Sequence, residues 1–192
     1  PDLPMIVIAC HLDSWDLGTG AVDDGAGCAI ISAAAKHVME NGTPKRTIRL
    51  LWAGAEEVGV YGGKAYADKH KDTPHAVAME SDFGADRIWQ VNFNLPKSAS
   101  SLADEISASF APLGIARGRK EAGEGADIGA IVAAQKLAVI DLSQDGTRYF
   151  SLHHTPDDTL DKIDPEQLRQ NVAAWTSTLM LLSQYEGDLS PE

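Results

Sequence analysis

Short apolar runs alternate along the chain with longer segments of helical periodicity, and this alternation constrains the fold more than any other feature. The apolar runs have the length of strands and are Met5 to Cys10, Thr47 to Ala53, Ala76 to Glu80, Ile88 to Val91 and Leu137 to Leu142. Most are continuously apolar, as expected of strands covered on both faces. The pattern predicts an α/β fold, a three-layer sandwich with a largely parallel central sheet.

Helical periodicity separates and follows these runs. The predicted helices are Gly25 to Asn41, Gly62 to His70, Ala99 to Leu113, Asp127 to Ala134 and Pro165 to Tyr185. The last has the clearest pattern, because Pro165 suits a first helical turn and Asp164 can cap it. Its apolar residues are spaced for one buried face.

Charge and length exclude several classes of partner. The chain has 192 residues, with 16 Lys and Arg against 28 Asp and Glu, a formal charge of −12. A polyanion needs a basic surface, so we expect no nucleic acid as a partner.

No apolar run reaches the roughly 20 residues that span a bilayer, so we expect no membrane partner either. We expect residues 1–192 to form one domain, and a chain beginning at Pro1 to be a processed product or a part of a longer protein.

Residue types that ligate metals follow four of the predicted strands. They are His11 and Asp13, Glu56 and Glu57, Asp82, and, after a loop, His153 and His154. Each of these residues taken singly is explained more simply as a solvated or structurally satisfied group. Ligands of open α/β sheets, however, bind beyond the carboxyl ends of the strands, where these residues coincide. Together they indicate a metal site at that edge.

A glycine-rich segment, Gly18 to Gly27, adds a pair of carboxylates before the first predicted helix. Asp23 or Asp24 could simply cap that helix. Beside His11 and the carboxylates at the strand ends, either side chain could instead bridge two metal ions about 3.5 to 4 Å apart.

Four strings carry a resemblance to a known family: HLDSWDLGTGAVDDGAG, WAGAEEVGVYGG, MESDFGA and HHTPDDT. In their order and spacing, the sequence resembles the co-catalytic di-zinc exopeptidases, and most closely their plasma glutamate carboxypeptidase branch. The resemblance extends over roughly Met5 to Tyr185. It implies a catalytic domain with two Zn²⁺ ions per chain, without the upstream sequence that relatives carry.

The resemblance also assigns a metal-ligand set. It implies that His11 and Asp82 hold one zinc, that Glu57 and His154 hold the other, and that Asp23 rather than Asp24 bridges them. Members of the family have a cis peptide bond after the bridging aspartate, which we expect here between Asp23 and Asp24.

Further roles follow from the same resemblance. Glu56 is the implied general base, and Asp13 is the implied acceptor of the second N–H of the His11 imidazole. His153 or the nearby Tyr149 is expected to donate a hydrogen bond to the oxyanion, with a purely structural role for His153 as the alternative. Asp127 either lies near the substrate or caps the following helix. The remaining histidines are expected at the surface: His37, His70 and His75.

Cys10 and Cys28 leave two questions open. They are the two cysteines of the chain, and the sequence does not establish whether they are bridged. We expect both to pack as small buried side chains rather than to perturb the metals.

The implied activity is hydrolysis of unblocked peptides or dipeptides by an aminopeptidase or dipeptidase, secreted or periplasmic by resemblance. One alternative is a zinc-dependent glutaminyl cyclase or amide deacylase on the same scaffold. Another is a catalytically silent interaction domain, against which the intact ligand set argues. The implied substrate is a peptide or dipeptide, and the sequence gives no indication of the oligomeric state.

Overall fold

A computed structural model describes residues 2–190 of the chain. Its strands are β1 Leu3–His11, β2 Arg46–Ala53, β3 His75–Glu80, β4 Ile88–Asn94, β5 Ala116–Arg117 and β6 Ala138–Gln144. They form a single sheet in the order β2-β1-β3-β6-β4-β5. Neighbouring strands are parallel except β4 and β6, which are antiparallel. This largely parallel sheet confirms the predicted fold class.

The helices alternate with the strands as predicted. They are α1 Ala26–Asn41, α2 Tyr61–His70, α3 Ser100–Phe110, α4 Ala126–Gln135, α5 Tyr149–Leu152 and α6 Pro165–Gln184. The chain beyond α3 tightens into a 3₁₀ turn, Ala111–Leu113, that contains Pro112, which has no N–H to continue an α-helix. Asp164 caps α6 as expected, since its Oδ1 accepts a hydrogen bond from the Glu166 N–H at 2.8 Å.

Two apolar layers lie on opposite faces of the sheet. Along β1, Ile6 and Ile8 join the core formed with α1, α3 and α6, whereas Val7 and Ala9 join the core formed with α2 and α4. All four side chains are fully buried. Because both faces of the central strands are covered, these strands are continuously apolar in sequence.

Two buried polar residues, Arg46 and His75, lie at the amino-terminal edge of the sheet. Arg46 donates hydrogen bonds to the carbonyl oxygens of Tyr185, Pro4 and Gly187 at 2.7 to 2.9 Å. His75 is buried, so its prediction as a surface group is wrong. Its Nε2 lies 2.6 Å from the Tyr66 hydroxyl oxygen, and its Nδ1 lies 3.2 Å from Gln135 Oε1. His75 begins β3 and is enclosed there by side chains of α2 and α4.

Cys10 and Cys28 form a disulfide bond, with their Cα atoms 5.1 Å apart. Cys10 lies near the carboxyl end of β1, and Cys28 lies in the first turn of α1. The covalent link therefore joins the strand that ends at His11 to the helix packed beside it.

Of the helices within residues 2–190, none is both long and apolar enough to cross a membrane.

Candidate metal centre

The predicted ligands lie together at the carboxyl edge of the sheet. His11 is the last residue of β1, Glu57 follows β2, and Asp82 follows β3. His154 lies in the loop after α5, with a left-handed backbone conformation (φ 59°). Parallel β1, β2 and β3 end at the same edge, which brings residues far apart in sequence into one site.

Asp23 lies between the two histidines. Its Oδ1 is 2.9 Å from His11 Nε2, and its Oδ2 is 3.1 Å from His154 Nε2. Each imidazole nitrogen has a second carboxylate beside it: Asp82 Oδ1 lies 3.3 Å from His11 Nε2, and Glu57 Oε2 lies 2.9 Å from His154 Nε2. The five side chains thus form two groups, each with one imidazole and one carboxylate of its own, that share the Asp23 carboxylate.

Asp24 lies beside this arrangement, but both of its oxygens are bound to the backbone. Its Oδ2 accepts a hydrogen bond from the His11 backbone N–H, and its Oδ1 accepts one from the Gly27 N–H, each at 3.1 Å. The peptide bond between Asp23 and Asp24 is cis, as expected from the resemblance. With both oxygens used by the backbone, Asp24 holds the end of β1 while Asp23 faces the histidines.

Asp13 supports the pair of glutamates. Its Oδ1 accepts a hydrogen bond from the Glu56 N–H at 3.0 Å, and its Oδ2 accepts one from the Glu57 N–H at 3.2 Å. The His11 Nδ1 lies 2.8 Å from the carbonyl oxygen of Asp13 but 3.7 Å from its carboxylate. The backbone of Asp13, rather than the expected carboxylate, therefore faces the second nitrogen of His11.

The electrostatics of the site fit a divalent cation. Burial raises the pKa of Glu57 and of Asp82, and in each case the nearby Asp23 carboxylate adds to the effect. Burial alone would lower the pKa of His11, but hydrogen bonds to Asp23 and Asp82 outweigh it and raise this pKa to about 12. Carboxylates held this close require a proton or a cation between them.

The donor set also fits such an ion. The possible ligand atoms of His11, Asp23 and Glu57 lie within 4.8 Å of one another, as do those of His11, Asp24 and Asp82. Within residues 2–190, Glu57 Oε1 is buried and has no hydrogen-bond partner. Imidazole nitrogens with carboxylate oxygens suit zinc. We regard Asp23 rather than Asp24 as the shared donor, because Asp24 is occupied by backbone N–H groups.

Aromatic rings enclose the side of the centre next to His154. The His153 ring lies 4.3 Å from the His154 ring and 4.7 Å from the Tyr149 ring, and Phe83 stacks on Tyr149 at 4.3 Å. Burial, together with nearby Asp82, raises the pKa of Tyr149 above its ordinary value, so the hydroxyl keeps its proton.

Asp127 does not cap α4, so that interpretation is wrong. The residue before the helix is Gly125, and the helix N–H groups of Ala126 and Ile128 donate to Glu80 at 2.8 and 2.9 Å. Asp127 lies within the first turn and is fully buried. Burial raises its pKa to about 7.

A cavity of about 320 Å³ opens beside Asp82. This volume lies at the lower end of the range typical of small-molecule sites. Four carboxylates line it, those of Glu80, Asp82, Glu124 and Asp141, and its described lining residues include no Lys, Arg or His. The cavity is therefore an acidic pocket next to the candidate ligands.

The roles of two acidic residues near the candidate ligands, Glu80 and Asp158, could not be predicted from the sequence. Glu80 ends β3 as predicted, but its side chain also accepts hydrogen bonds from the first turn of α4. Asp158, within HHTPDDT, is buried with both oxygens hydrogen-bonded. The only signal available for either was its position beside a candidate ligand, Asp82 or His154.

The fold and the paired imidazole–carboxylate groups define the chain as an α/β protein with a candidate metal centre at the carboxyl edge of its sheet. Residues 2–179 match Peptidase family M28, and the chain belongs to this family, which is generally zinc-dependent. Among curated proteins, carboxypeptidase Q of Bos taurus is 33% identical over 185 residues, which are 95% of this chain and 39% of that protein. The chain thus spans about two fifths of the length of the curated relatives it matches first.

Solved structures support the same assignment. A Peptidase M28 precursor from Shewanella amazonensis SB2B is 45% identical, with a TM-score of 0.91 over 98% of this chain and 43% of that one. An aminopeptidase from Aneurinibacillus sp. strain AM-1 is 26% identical, with a TM-score of 0.65 over 98% of this chain and 46% of that one. A glutaminyl cyclase from an Acidobacteriales bacterium, 21% identical with a TM-score of 0.69 over 94% of this chain and 70% of that one, shares the fold.

Proposed function

We propose that the chain is the catalytic part of a di-zinc metallo-exopeptidase that hydrolyses unblocked peptides or dipeptides. The observation that carries the proposal is the position of Asp23, with one carboxylate oxygen 2.9 Å from His11 Nε2 and the other 3.1 Å from His154 Nε2. A carboxylate shared between two imidazole–carboxylate groups can bridge a pair of metal ions a few ångströms apart.

The proposed ligands divide between the two ions according to these contacts. His11 and Asp82 would hold one ion, His154 and Glu57 the other, and Asp23 both. When bound, a zinc pair lowers the pKa of a coordinated water and polarises the carbonyl group that is attacked.

Glu56 is the proposed general base. Its carboxylate takes the proton of the attacking water and then delivers it to the leaving amine. Asp13 fixes the backbone on which Glu56 and Glu57 sit, so one glutamate ligates while its neighbour faces the substrate. Burial and the nearby Asp82 raise the pKa of Glu56. The pKa is thereby shifted toward neutral pH, where a general base transfers protons most effectively.

Tyr149 and His153 are the proposed donors to the developing oxyanion. The Tyr149 hydroxyl is kept protonated by burial, and the stacked His153 ring lies beside the ligand His154. Of the two, we favour Tyr149, since a neutral hydroxyl donates without a change of charge.

Specificity for a free amino group is supported by the acidic cavity beside Asp82. Of its four lining carboxylates, Glu124 and Asp141 are neither proposed ligands nor bound to helix N–H groups, and with no lining Lys, Arg or His among the described residues they would attract a substrate ammonium group. The names of the relatives, a carboxypeptidase and an aminopeptidase, agree with action at a chain end.

A secreted or periplasmic location is part of the proposal. The Cys10–Cys28 disulfide supports it, since structural disulfides persist mainly in oxidising compartments.

A glutaminyl cyclase activity is the second candidate, favoured by the shared fold with the Acidobacteriales cyclase. The two activities differ in metal requirement and product. A cyclase is expected to work with one zinc and to release ammonia from an amino-terminal glutamine, whereas the peptidase needs the ligands of both groups.

The test is hydrolysis of a leucyl anilide and of its N-acetylated twin by the zinc-loaded chain, with a glutaminyl peptide assayed for ammonia in parallel. Cleavage of the unblocked anilide alone supports the proposal. Cleavage of both anilides would contradict an exopeptidase, and ammonia release without anilide cleavage would favour the cyclase.

A further inference from the structure

Asp158 is buried beside the candidate metal centre, and the proposed function gives it no role. It lies four residues beyond His154 in the loop after α5 and is 3% exposed. Its Oδ1 accepts a hydrogen bond from the Val22 N–H at 2.6 Å, and its Oδ2 accepts one from the Asp23 N–H at 3.1 Å. Both oxygens are therefore bound to the backbone of the segment that carries the shared carboxylate.

The two loops meet closely around this contact. The carbonyl oxygen of Asp158 accepts hydrogen bonds from the Thr19 N–H at 2.8 Å and from the Thr19 hydroxyl at 3.1 Å. A Cβ atom at Gly18 would lie 2.6 Å from the Thr155 carbonyl oxygen and 2.9 Å from Asp158 Cβ. Glycine is thus the residue that lets the loop of Asp23 approach the loop of His154.

The surroundings of Asp158 explain why its carboxylate binds backbone N–H groups. Within residues 2–190 it forms no ion pair. A buried carboxylate without a cationic partner needs hydrogen-bond donors, and here the N–H groups of Val22 and Asp23 supply them. Hydrogen bonds to an ionised acceptor are shorter and stronger than neutral ones, so they restrict the movement of these peptide units.

Two other aspartates near the centre make the same kind of contact. Asp24 accepts from the backbone N–H of His11, and Asp13 accepts from those of Glu56 and Glu57. Asp158 extends the pattern to Asp23. Each of these carboxylates holds the backbone of a proposed ligand or base rather than facing the centre itself.

We propose that Asp158 is a positioning residue of the metal centre, and this inference rests on the proposed function. By fixing the N–H of Asp23, it keeps the Asp23 carboxylate between His11 and His154. The segment from His154 to Asp158 then contacts Asp23 at both ends, through the His154 ring at its carboxylate and through the Asp158 side chain at its N–H. One loop thereby sets the distance between a ligand and the carboxylate shared by both groups.

The test compares three variants of the full chain. Asp158→Asn keeps the shape of the side chain but turns an N–H₂ group toward a backbone N–H. Gly18→Ala forces the same two loops apart without changing any carboxylate. Asp157→Asn is the matched control, because Asp157 is the neighbouring residue but is exposed.

Three measurements are made on each variant: zinc affinity by competition with a chelator, the absorption spectrum of the Co²⁺ form, and amide exchange at Val22 and Asp23 without metal. For Asp158→Asn we expect zinc binding about 10- to 100-fold weaker, an altered Co²⁺ spectrum and faster exchange at both amides. Gly18→Ala should change zinc affinity and the Co²⁺ spectrum in the same direction, and Asp157→Asn should match the unmodified chain.

Unchanged zinc affinity and an unchanged Co²⁺ spectrum in Asp158→Asn would overturn the inference, even if that variant were less stable. If Asp158→Asn does not fold, the same result in Gly18→Ala overturns it. Absence of metal binding by the unmodified chain would instead refute the proposed function, and the metal-free amide exchange would still report whether Asp158 holds Asp23.

Discussion

Polar side chains cluster at both edges of the sheet, but the two clusters differ in how their charges and hydrogen bonds are matched. At the amino-terminal edge, Arg46 is matched by three backbone carbonyl oxygens, and His75 is matched by a tyrosine hydroxyl and an amide oxygen. At the carboxyl edge, Asp23, Glu57 and Asp82 crowd together around two imidazoles. At the amino-terminal edge, the polar groups find their hydrogen-bond partners within the protein. At the carboxyl edge, several carboxylates lie close together, and a bound cation would reduce their mutual repulsion.

The difference separates structural polar residues from functional ones. A polar group whose partners are neutral and sufficient in number contributes to folding. Carboxylates such as Glu57 and Asp82, whose pKa values are raised by burial and by the nearby Asp23 carboxylate, are held together at a cost to stability, which marks a candidate site. Substitutions at the two edges should therefore have different effects, on activity at one and on stability at the other.

The largest effect is expected for Glu56→Gln at the carboxyl edge. If Glu56 is removed as the proposed general base, kcat should fall by about 10²- to 10⁴-fold, while zinc content stays the same because Glu56 is not a proposed ligand. Steady-state kinetics with an unblocked leucyl anilide measure this loss. Glu105→Gln, an exposed substitution on α3, is the control and should leave kcat unchanged. Near-normal turnover by Glu56→Gln would remove Glu56 from the mechanism.

Arg46→Met at the opposite edge should lower the free energy of unfolding by roughly 3 to 4 kcal/mol, because it leaves buried carbonyl oxygens without donors. Zinc affinity should not change. Denaturant unfolding measures the loss, and Lys45→Met is the control, since Lys45 pairs with Glu186 at the surface, where ion pairs contribute little. Equal losses in the two variants would show that Arg46 is not the structural residue described here.

Reduction of the Cys10–Cys28 disulfide should lower the free energy of unfolding by about 3 kcal/mol, the loop-closure value for a bridge of this span. The chain contains two cysteines, so reductant acts at this bond alone. Unfolding curves with and without reductant measure the difference. A Cys10→Ala/Cys28→Ala double variant should be insensitive to reductant, and any remaining response would have to arise elsewhere.

The smallest effect is a dependence of stability on pH that comes from His75. Burial lowers the pKa of His75, so the unfolded chain binds this proton more readily than the folded chain. Stability should therefore fall as pH drops below about 6.5, the unfolded value. In His75→Gln this contribution disappears. The free energies of unfolding of the unmodified chain and of the variant should therefore move closer together as the pH is lowered. A constant difference between pH 7.5 and 5 would argue against a lowered pKa.

The sequence predicted the central strands and the candidate ligands for the same reason. Strands buried on both faces are continuously apolar, and the residues that follow parallel strands meet at one edge. The two-residue strand β5 could not be found in this way, because Ala116 and Arg117 are exposed and carry no apolar pattern.

The features that the sequence did not predict are those that depend on neighbours brought together by the fold. The burial of His75 follows from the packing of α2 and α4 around the start of β3, which no local pattern encodes. The pairing of Cys10 with Cys28 requires the end of β1 and the first turn of α1 to be adjacent. For Asp158, the HHTPDDT string contains two aspartates in succession, and only the three-dimensional contact with Val22 and Asp23 distinguishes the buried one.

The most direct test of the central claim is the metal content of the chain after chelator treatment and reconstitution with zinc, measured by plasma emission spectrometry. Two zinc ions per chain are expected, because the shared Asp23 carboxylate serves two ligand groups. A chain that retains no zinc would contradict the claim that the crowded carboxylates and imidazoles at the carboxyl edge form a metal centre.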